Sequence, residues 1–291
     1  MKIAAVIILY YVDKDIISNI KTYYNYVDKI FVFDNSETES HIKKNLSKLP
    51  KIIFFHDNQN LGIAKRLNQA CTLALEEGFD WLLTMDQDSK FSLDAISNYF
   101  SCFSQYKNKE NVAMFAPKYS RETILSTKEC QHNEKEKLEE LITAGALLNL
   151  SLYKKIDGFD EALFIDAVDF DYCVRAKLCS YSIVEFTNVF LSHELGKQVY
   201  RSSIKTLFTV KKKKIIHSPL RCYYIYRNML YLKKKYENCA LQSTHNYKNH
   251  VNAHIKNCIL YGRNASEIKK FIKLAKKDFG NGRMGKIEQT K

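Results

Sequence analysis

The sequence predicts an α/β architecture: a mainly parallel sheet flanked by helices, followed by a basic helical region. Three observations carry this. Apolar runs of strand length alternate with helix-periodic segments over residues 1–196. Those runs are apolar throughout rather than at every second position, the pattern of strands buried on both faces. Charge then divides the chain: residues 1–196 hold 22 Lys+Arg and 28 Asp+Glu, whereas residues 197–291 hold 23 Lys+Arg and 4 Asp+Glu, a net of +19.

The first strand is Ile3–Tyr11. It follows Lys2, but Asp13, Lys14 and Asp15 come next instead of a small-residue cleavage site, so it reads as a buried strand rather than a leader. It is also about half the length of a membrane-spanning helix. Further strands are expected at Lys29–Phe33, Lys51–Phe55 and Trp81–Met85, with Trp81 as a core residue. Between the third and fourth, Ile63, Leu67, Ala70, Cys71 and Ala74 recur at helical spacing. Val112–Ala116, Leu141–Leu150 and Tyr181–Phe190 complete the set, and no internal repeat is found.

The last third reads as helical. Val251, Ile255, Cys258 and Ile259 share one face, as do Ile268, Phe271, Ile272 and Ala275, with Asn264 and Glu267 spaced as a capping box. Between 215 and 236, Leu220, Tyr223, Tyr224, Leu230 and Tyr231 mix with Arg221, Arg227 and Lys233–Lys235. That mixture suits a helix on a membrane surface and equally one packed on the sheet domain. The expected division is 1–210 for the sheet domain and 211–291 for the basic helical region, with an acidic membrane surface or nucleic acid as its anionic partner.

Composition excludes several classes. With 46% hydrophobic residues, 9 Gly and 3 Pro in 291, the chain is neither disordered nor collagen-like. Eight cysteines without a CxxC pair read as reduced thiols of a cytosolic protein, and a zinc site is not expected. His217, His245, His250 and His254 form no ligand-like set and are read as surface residues.

In an open parallel sheet, ligands bind beyond the carboxyl ends of the strands. Acidic residues gather at such ends: Asp34 after the second strand, Asp86 and Asp88 after the fourth. Two carboxylates one residue apart suit a hard divalent cation that shares its shell with phosphate.

The order of Ile8-Leu-Tyr-Tyr11, Val32-Phe-Asp-Asn-Ser36, Asn58-Gln-Asn-Leu-Gly-Ile-Ala64, Met85-Asp-Gln-Asp-Ser89, Thr143-Ala-Gly-Ala146, Gly158-Phe-Asp160, Phe164–Arg175 and His193-Glu-Leu-Gly196 resembles that of family 2 glycosyltransferases. Within them it is most similar to bacterial rhamnosyltransferases of surface polysaccharide synthesis. The resemblance covers roughly residues 3 to 235 and implies a GT-A fold. It also implies inverting transfer of a sugar, rhamnose from dTDP-rhamnose, from a nucleoside diphosphate to a saccharide acceptor. A UDP-sugar donor is one alternative, and a nucleic-acid-binding phosphoryl-transfer protein is another.

Carried over by position, the resemblance gives Asp34 the base or ribose, with Tyr10 and Tyr11 lining the same loop. It places Asn60 and Gly62 at a close approach to the nucleotide, and Lys65 or Arg66 on its phosphates. Asp86 and Asp88 would hold Mg²⁺ or Mn²⁺, with Gln87 among the donor contacts and His193 as a further metal ligand. Thr143 and Gly145 would wall the sugar pocket. Asp169 would be the catalytic base, while Asp171, four residues before Arg175, would form an i,i+4 ion pair. The implied acceptor is lipid-linked, the implied location is cytoplasmic at the inner membrane face, and no nucleic acid is expected.

Overall fold

The computed structural model describes residues 1–12, 16–120, 127–138, 143–192, 197–202 and 211–288. The chain divides into two compact units, residues 1–164 with 168–194 and residues 165–167 with 195–291. The sequence reading set the break after residue 210; in the structure the strand pair that precedes the C-terminal helices belongs with them.

In the first unit β1 (Ile3–Leu9) is followed by α1 (Ile17–Lys21), β2 (Lys29–Asp34), α2 (Lys43–Leu46), β3 (Ile52–His56), α3 (Ile63–Glu76) and β4 (Trp81–Asp86). These four strands run parallel in the order β3-β2-β1-β4. The reason is visible in β1: Ala5, Ile7 and Leu9 enter one core cluster, while Ala4 and Val6 are buried away from it. A strand apolar on both faces is stable only between two covering layers. Helix α3 packs on β1 and β4, burying Leu67, Ala70, Cys71 and Ala74 as their spacing predicts.

Beyond β4 the sheet becomes mixed. After β5 (Lys90–Phe91), α4 (Leu93–Gln105), β6 (Val112–Ser120), β7 (His132–Glu134), β8 (Ala146–Asn149), α5 (Leu150–Lys155) and α6 (Val168–Leu178) comes β9 (Ser182–Ser192). Strand β8 lies antiparallel between β4 and β6, β6 and β9 are parallel, and β5 and β7 pair antiparallel with β9. Trp81 is a core residue, its ring 4.9 Å from Phe103 and 5.6 Å from Phe115. Cys102 and Cys130 form a disulfide with Cα atoms 5.4 Å apart, contrary to the expectation of reduced thiols throughout. Cys71, Cys173, Cys222 and Cys258 are free and buried.

The second unit begins with an antiparallel pair, β10 (Lys197–Ser202) and β11 (Lys211–Ile216); β10 falls within the expected sheet domain and β11 where helix was expected. Helices α7 (Pro219–Lys235), α8 (Gln242–Tyr261) and α9 (Ala265–Gly280) follow. Helix α7 is capped by Ser218, whose Oγ accepts from Arg221 N, with Pro219 in the first turn. Much of its apolar surface is taken up within the unit: Tyr223, Tyr224, Ile225, Met229 and Leu232 are buried and α7 packs on α8 and α9, while Leu230 and Tyr231 are half-buried and Leu220 is exposed.

Val251, Ile255, Cys258 and Ile268 join that core. Helix α9 starts at the expected position, but Asn264 makes no side-chain cap bond. His217 and His254 are half-buried rather than surface residues, with ring centroids 5.0 Å apart and His254 Nε2 3.4 Å from Cys258 Sγ. Burial pushes the His217 imidazole down to about 4. Among the described residues no helix is long and apolar enough to cross a membrane.

Candidate active site

Strand β1 has β2 on one side and β4 on the other, so the chain turns in opposite directions from its carboxyl end, the place where open α/β sheets bind ligands. Register aligns the ends: Leu9 pairs with Asp34 and Ile8 with Asp86. Tyr10 and Tyr11 leave β1 at this level, 46% and 55% exposed, with rings 4.8 Å apart edge to face. Their backbone is fixed from both sides. Tyr10 N donates to Gln87 Oε1 at 2.9 Å, Gln87 Nε2 returns a bond to Tyr10 O at 3.4 Å, and Tyr11 N donates to Ser36 Oγ at 2.7 Å. Gln87 O also accepts from Asn19 Nδ2 at 3.0 Å. Gln87 thus braces the two loops.

Asp34 is turned into its own loop. Its side chain is fully buried, Oδ1 accepting from Ser36 N at 3.1 Å and Oδ2 from Ser40 N at 2.7 Å. The carboxylate shapes the loop after β2 and meets no solvent.

Arg66 is 3% exposed, and all five N–H groups are engaged. Nε donates to Asn35 Oδ1 at 3.0 Å, Nη1 to Asp57 Oδ2 at 2.9 Å and Gln69 Oε1 at 3.0 Å, and Nη2 to Asp57 Oδ1 at 2.5 Å and Gln59 O at 2.8 Å. The guanidinium beside Asp57 holds that carboxyl below its usual range. No donor of Arg66 is left for phosphate. Lys65, 46% exposed and 4.0 Å from Glu161, keeps its ammonium at the surface.

Asn60 belongs to the same brace, its Oδ1 accepting from Asn35 Nδ2 at 2.9 Å and Gly62 N at 3.1 Å. Gly62 has φ +83° and ψ 169°, a region open only to glycine. A Cβ there would stand 2.4 Å from Phe164 Cδ2. Sequence reasoning missed Asn35 and Asp57. The signal was present, since Asp57 follows β3 as Asp34 and Asp86 close β2 and β4.

The 143–145 turn is clamped to β4. Thr84 Oγ1 donates to Thr143 O, and Gly145 N donates to Thr84 O at 2.7 Å. Gly145 has φ +75° and an added Cβ would meet Pro117, Leu191 and Phe91 within 3.1 Å. Since Thr84 is two residues before Asp86, this turn stands beside the strand end that carries Asp86 and Asp88.

Asp86 is half-buried and Asp88 exposed. Both are oxygen donors of the kind that a Mg²⁺- or Mn²⁺-type ion takes. Among the described residues no group of three or more His, Cys, Asp or Glu is placed to hold a metal. His193 lies outside the described residues.

On α6 the two candidate carboxylates separate clearly. Asp171 is fully buried and accepts from Arg175 Nε at 2.8 Å, the predicted i,i+4 pair. Arg175 also donates to Ile156 O and to Gly158 O, the latter at 2.5 Å, so Asp171 anchors the turn before the helix. Asp169 is half-buried in the first turn, Oδ1 accepting from Phe170 N at 2.9 Å. The approach to it is strained: Phe164, Asp166 and Ala167 have φ of 62°, 66° and 65°. Such residues cost about 1–3 kcal/mol each and persist only where surroundings impose them.

A mainly parallel sheet that switches direction at β1, becomes mixed beyond β4 and is flanked by helices is the architecture of the GT-A class. Comparison with known proteins agrees. The family model Glycosyl transferase family 2 matches residues 11–157, just over half of the chain, and the chain belongs to that family. It is 28% identical over 222 residues to the dTDP-rhamnosyl transferase RfbF of Shigella flexneri, covering 71% of each protein.

Among solved structures it is similar to S. aureus TarS 1-349 in complex with UDP-GlcNAc, with a TM-score of 0.60 at 15% identity over 96% of this chain and 80% of that one. A longer TarS chain gives 0.51 at 16% identity; 91% of this chain is covered, and it spans 45% of the TarS length. At these identities the structural likeness establishes the fold. The chain is therefore a glycosyltransferase.

Proposed function

We propose that this enzyme transfers rhamnose from dTDP-rhamnose, with inversion, to a saccharide acceptor in cell-surface polysaccharide synthesis. The donor assignment is supported by the 28% identity to a dTDP-rhamnosyl transferase. The observation that carries the mechanism is the division at α6, with Asp171 sealed by Arg175 and Asp169 left half-buried. Asp169 takes the proton of the acceptor hydroxyl as its oxygen bonds to the anomeric carbon. The bond from that carbon to the diphosphate breaks on the opposite face. Lys65 meets the diphosphate, Tyr10 and Tyr11 line the nucleotide, and the Thr143–Gly145 turn walls the sugar. A Mg²⁺ or Mn²⁺ ion on Asp86 and Asp88 would supply charge against the leaving diphosphate.

The acceptor in this reading is lipid-linked and met at the cytoplasmic membrane face. Exposed lysines of the second unit, among them Lys233–Lys235, Lys269, Lys270, Lys273 and Lys276, are each worth about 1 kcal/mol near an anionic surface. The test is a panel of nucleotide sugars with Mg²⁺ or Mn²⁺, reading nucleoside diphosphate release in the presence of saccharide acceptors. Release from dTDP-rhamnose above all others is expected. Preference for a UDP-sugar would overturn the donor, and turnover undiminished by chelation would overturn the metal.

A further inference from the structure

Residues 165–167 pack with the C-terminal unit although the chain on both sides belongs to the sheet unit. They lie immediately before α6. Three of the four residues from Phe164 to Ala167 have positive φ, and neither Phe nor Ala adopts such values without support. Upstream, the Phe164 carbonyl accepts from Ile63 N at 2.6 Å and Ala64 N at 3.4 Å. That holds the beginning of the strap and leaves its middle to be explained.

The middle is held by α7. Arg221 donates from Nε and Nη2 to the two oxygens of Asp166 at 2.7 and 2.8 Å, a fork-to-fork pair. Asn228 Nδ2 donates to Ile165 O at 2.8 Å and Asp166 O at 3.0 Å. Residues 221 and 228 are two helical turns apart and share one face of α7. Asn228 is fully buried, with Asp166 15% and Arg221 42% exposed at their side chains.

We infer that Arg221 and Asn228 are positioning residues that clasp the 165–167 strap and thereby set where Asp169 stands at the start of α6. This rests on Asp169 as the base. A base displaced by about 1 Å costs up to a hundredfold in turnover. Because Arg221 is exposed, its ion pair adds little to stability, so catalysis and folding can be separated at this position.

The experiment uses the full chain and three variants, Arg221→Ala, Arg221→Lys and Asp166→Asn, with Asp169→Asn beside them. Turnover is measured with dTDP-rhamnose, and dTDP binding by calorimetry. Arg221→Ala should lower kcat roughly ten- to hundredfold, with dTDP affinity within about twofold and Tm within about 2 °C. Arg221→Lys, which keeps charge but loses the fork, should recover part of kcat. Combining Arg221→Ala with Asp166→Asn should cost no more than the worse single change, because the two act through one another.

Unchanged kcat in Arg221→Ala, or equal falls in kcat, affinity and Tm, would overturn the clasp while leaving an inactive Asp169→Asn to support the base. Turnover retained by Asp169→Asn would instead remove the base, and the clasp's role with it.

Discussion

Gly62→Ala perturbs the site at a single methyl group. The backbone at this position has φ +83° and ψ 169°, and moving an alanine into it costs about 1–3 kcal/mol. The new Cβ would lie 2.4 Å from Phe164 Cδ2, 2.6 Å from Phe164 O and 2.9 Å from Cε2. The ring can turn, but the carbonyl is bonded to Ile63 N and cannot leave without breaking the start of α3. Overpacking of this kind adds about 1–3 kcal/mol.

The sum is roughly 2–6 kcal/mol, which at about 2–4 °C per kcal/mol lowers Tm by roughly 4 °C or more. Gly78→Ala is the control: φ is +73° but nothing lies within 4 Å of the added methyl, so only a backbone cost of about 1 kcal/mol applies. Calorimetric or circular dichroism melts of both variants decide it. A Gly62→Ala melt no lower than that of Gly78→Ala would refute the close-approach reasoning.

Other expectations follow from the braces around the site. Arg66→Met should lower stability at pH 7 by about 1–2 kcal/mol, allowing for solvent at the 40%-exposed Asp57 carboxylate. Asp57 has its folded pKa lowered, chiefly by the hydrogen bond to Arg66. The pair's contribution is therefore present above the unfolded value, near 4, and lost as pH falls through the folded one. The gap between the urea midpoints of wild type and variant should accordingly narrow below about pH 4, the bonds of Arg66 to Asn35, Gln69 and Gln59 keeping the remainder; a constant gap down to pH 2 would count against the pair. Lys65→Ala should weaken dTDP binding by roughly three- to tenfold without shifting Tm, as loss of an exposed phosphate contact would; unchanged affinity removes Lys65 from the site.

The parallel strands were legible because burial on both faces leaves continuous apolar runs such as Ile3–Leu9. β5 and β7 are two and three residues long and carry no periodicity to read. β11 opens on Lys211–Lys214, a run with neither strand nor helix pattern, so it was taken into the helical region and separated from its partner β10. At the site, the Asp171–Arg175 pair was legible because its spacing is fixed by helix geometry. The commitments of Asp34, Gln87 and Arg66 were not. A buried aspartate bonded to its own loop and one facing a ligand are the same letter, and only the coordinates of Ser36, Ser40, Tyr10 and Asp57 distinguish them. Disulfide pairing of Cys102 with Cys130 depends on bringing α4 next to residues 127–131, which no spacing encodes.

The most direct measurement titrates dTDP into wild type, Asp86→Ala and Asp169→Asn with Mg²⁺ or Mn²⁺ present, and follows rhamnose transfer by the same three proteins. Asp86→Ala should lose metal-dependent binding, whereas Asp169→Asn should bind dTDP as wild type does and fail to transfer. Binding lost in Asp169→Asn, or transfer kept by it, would contradict the separation of donor anchoring from proton removal.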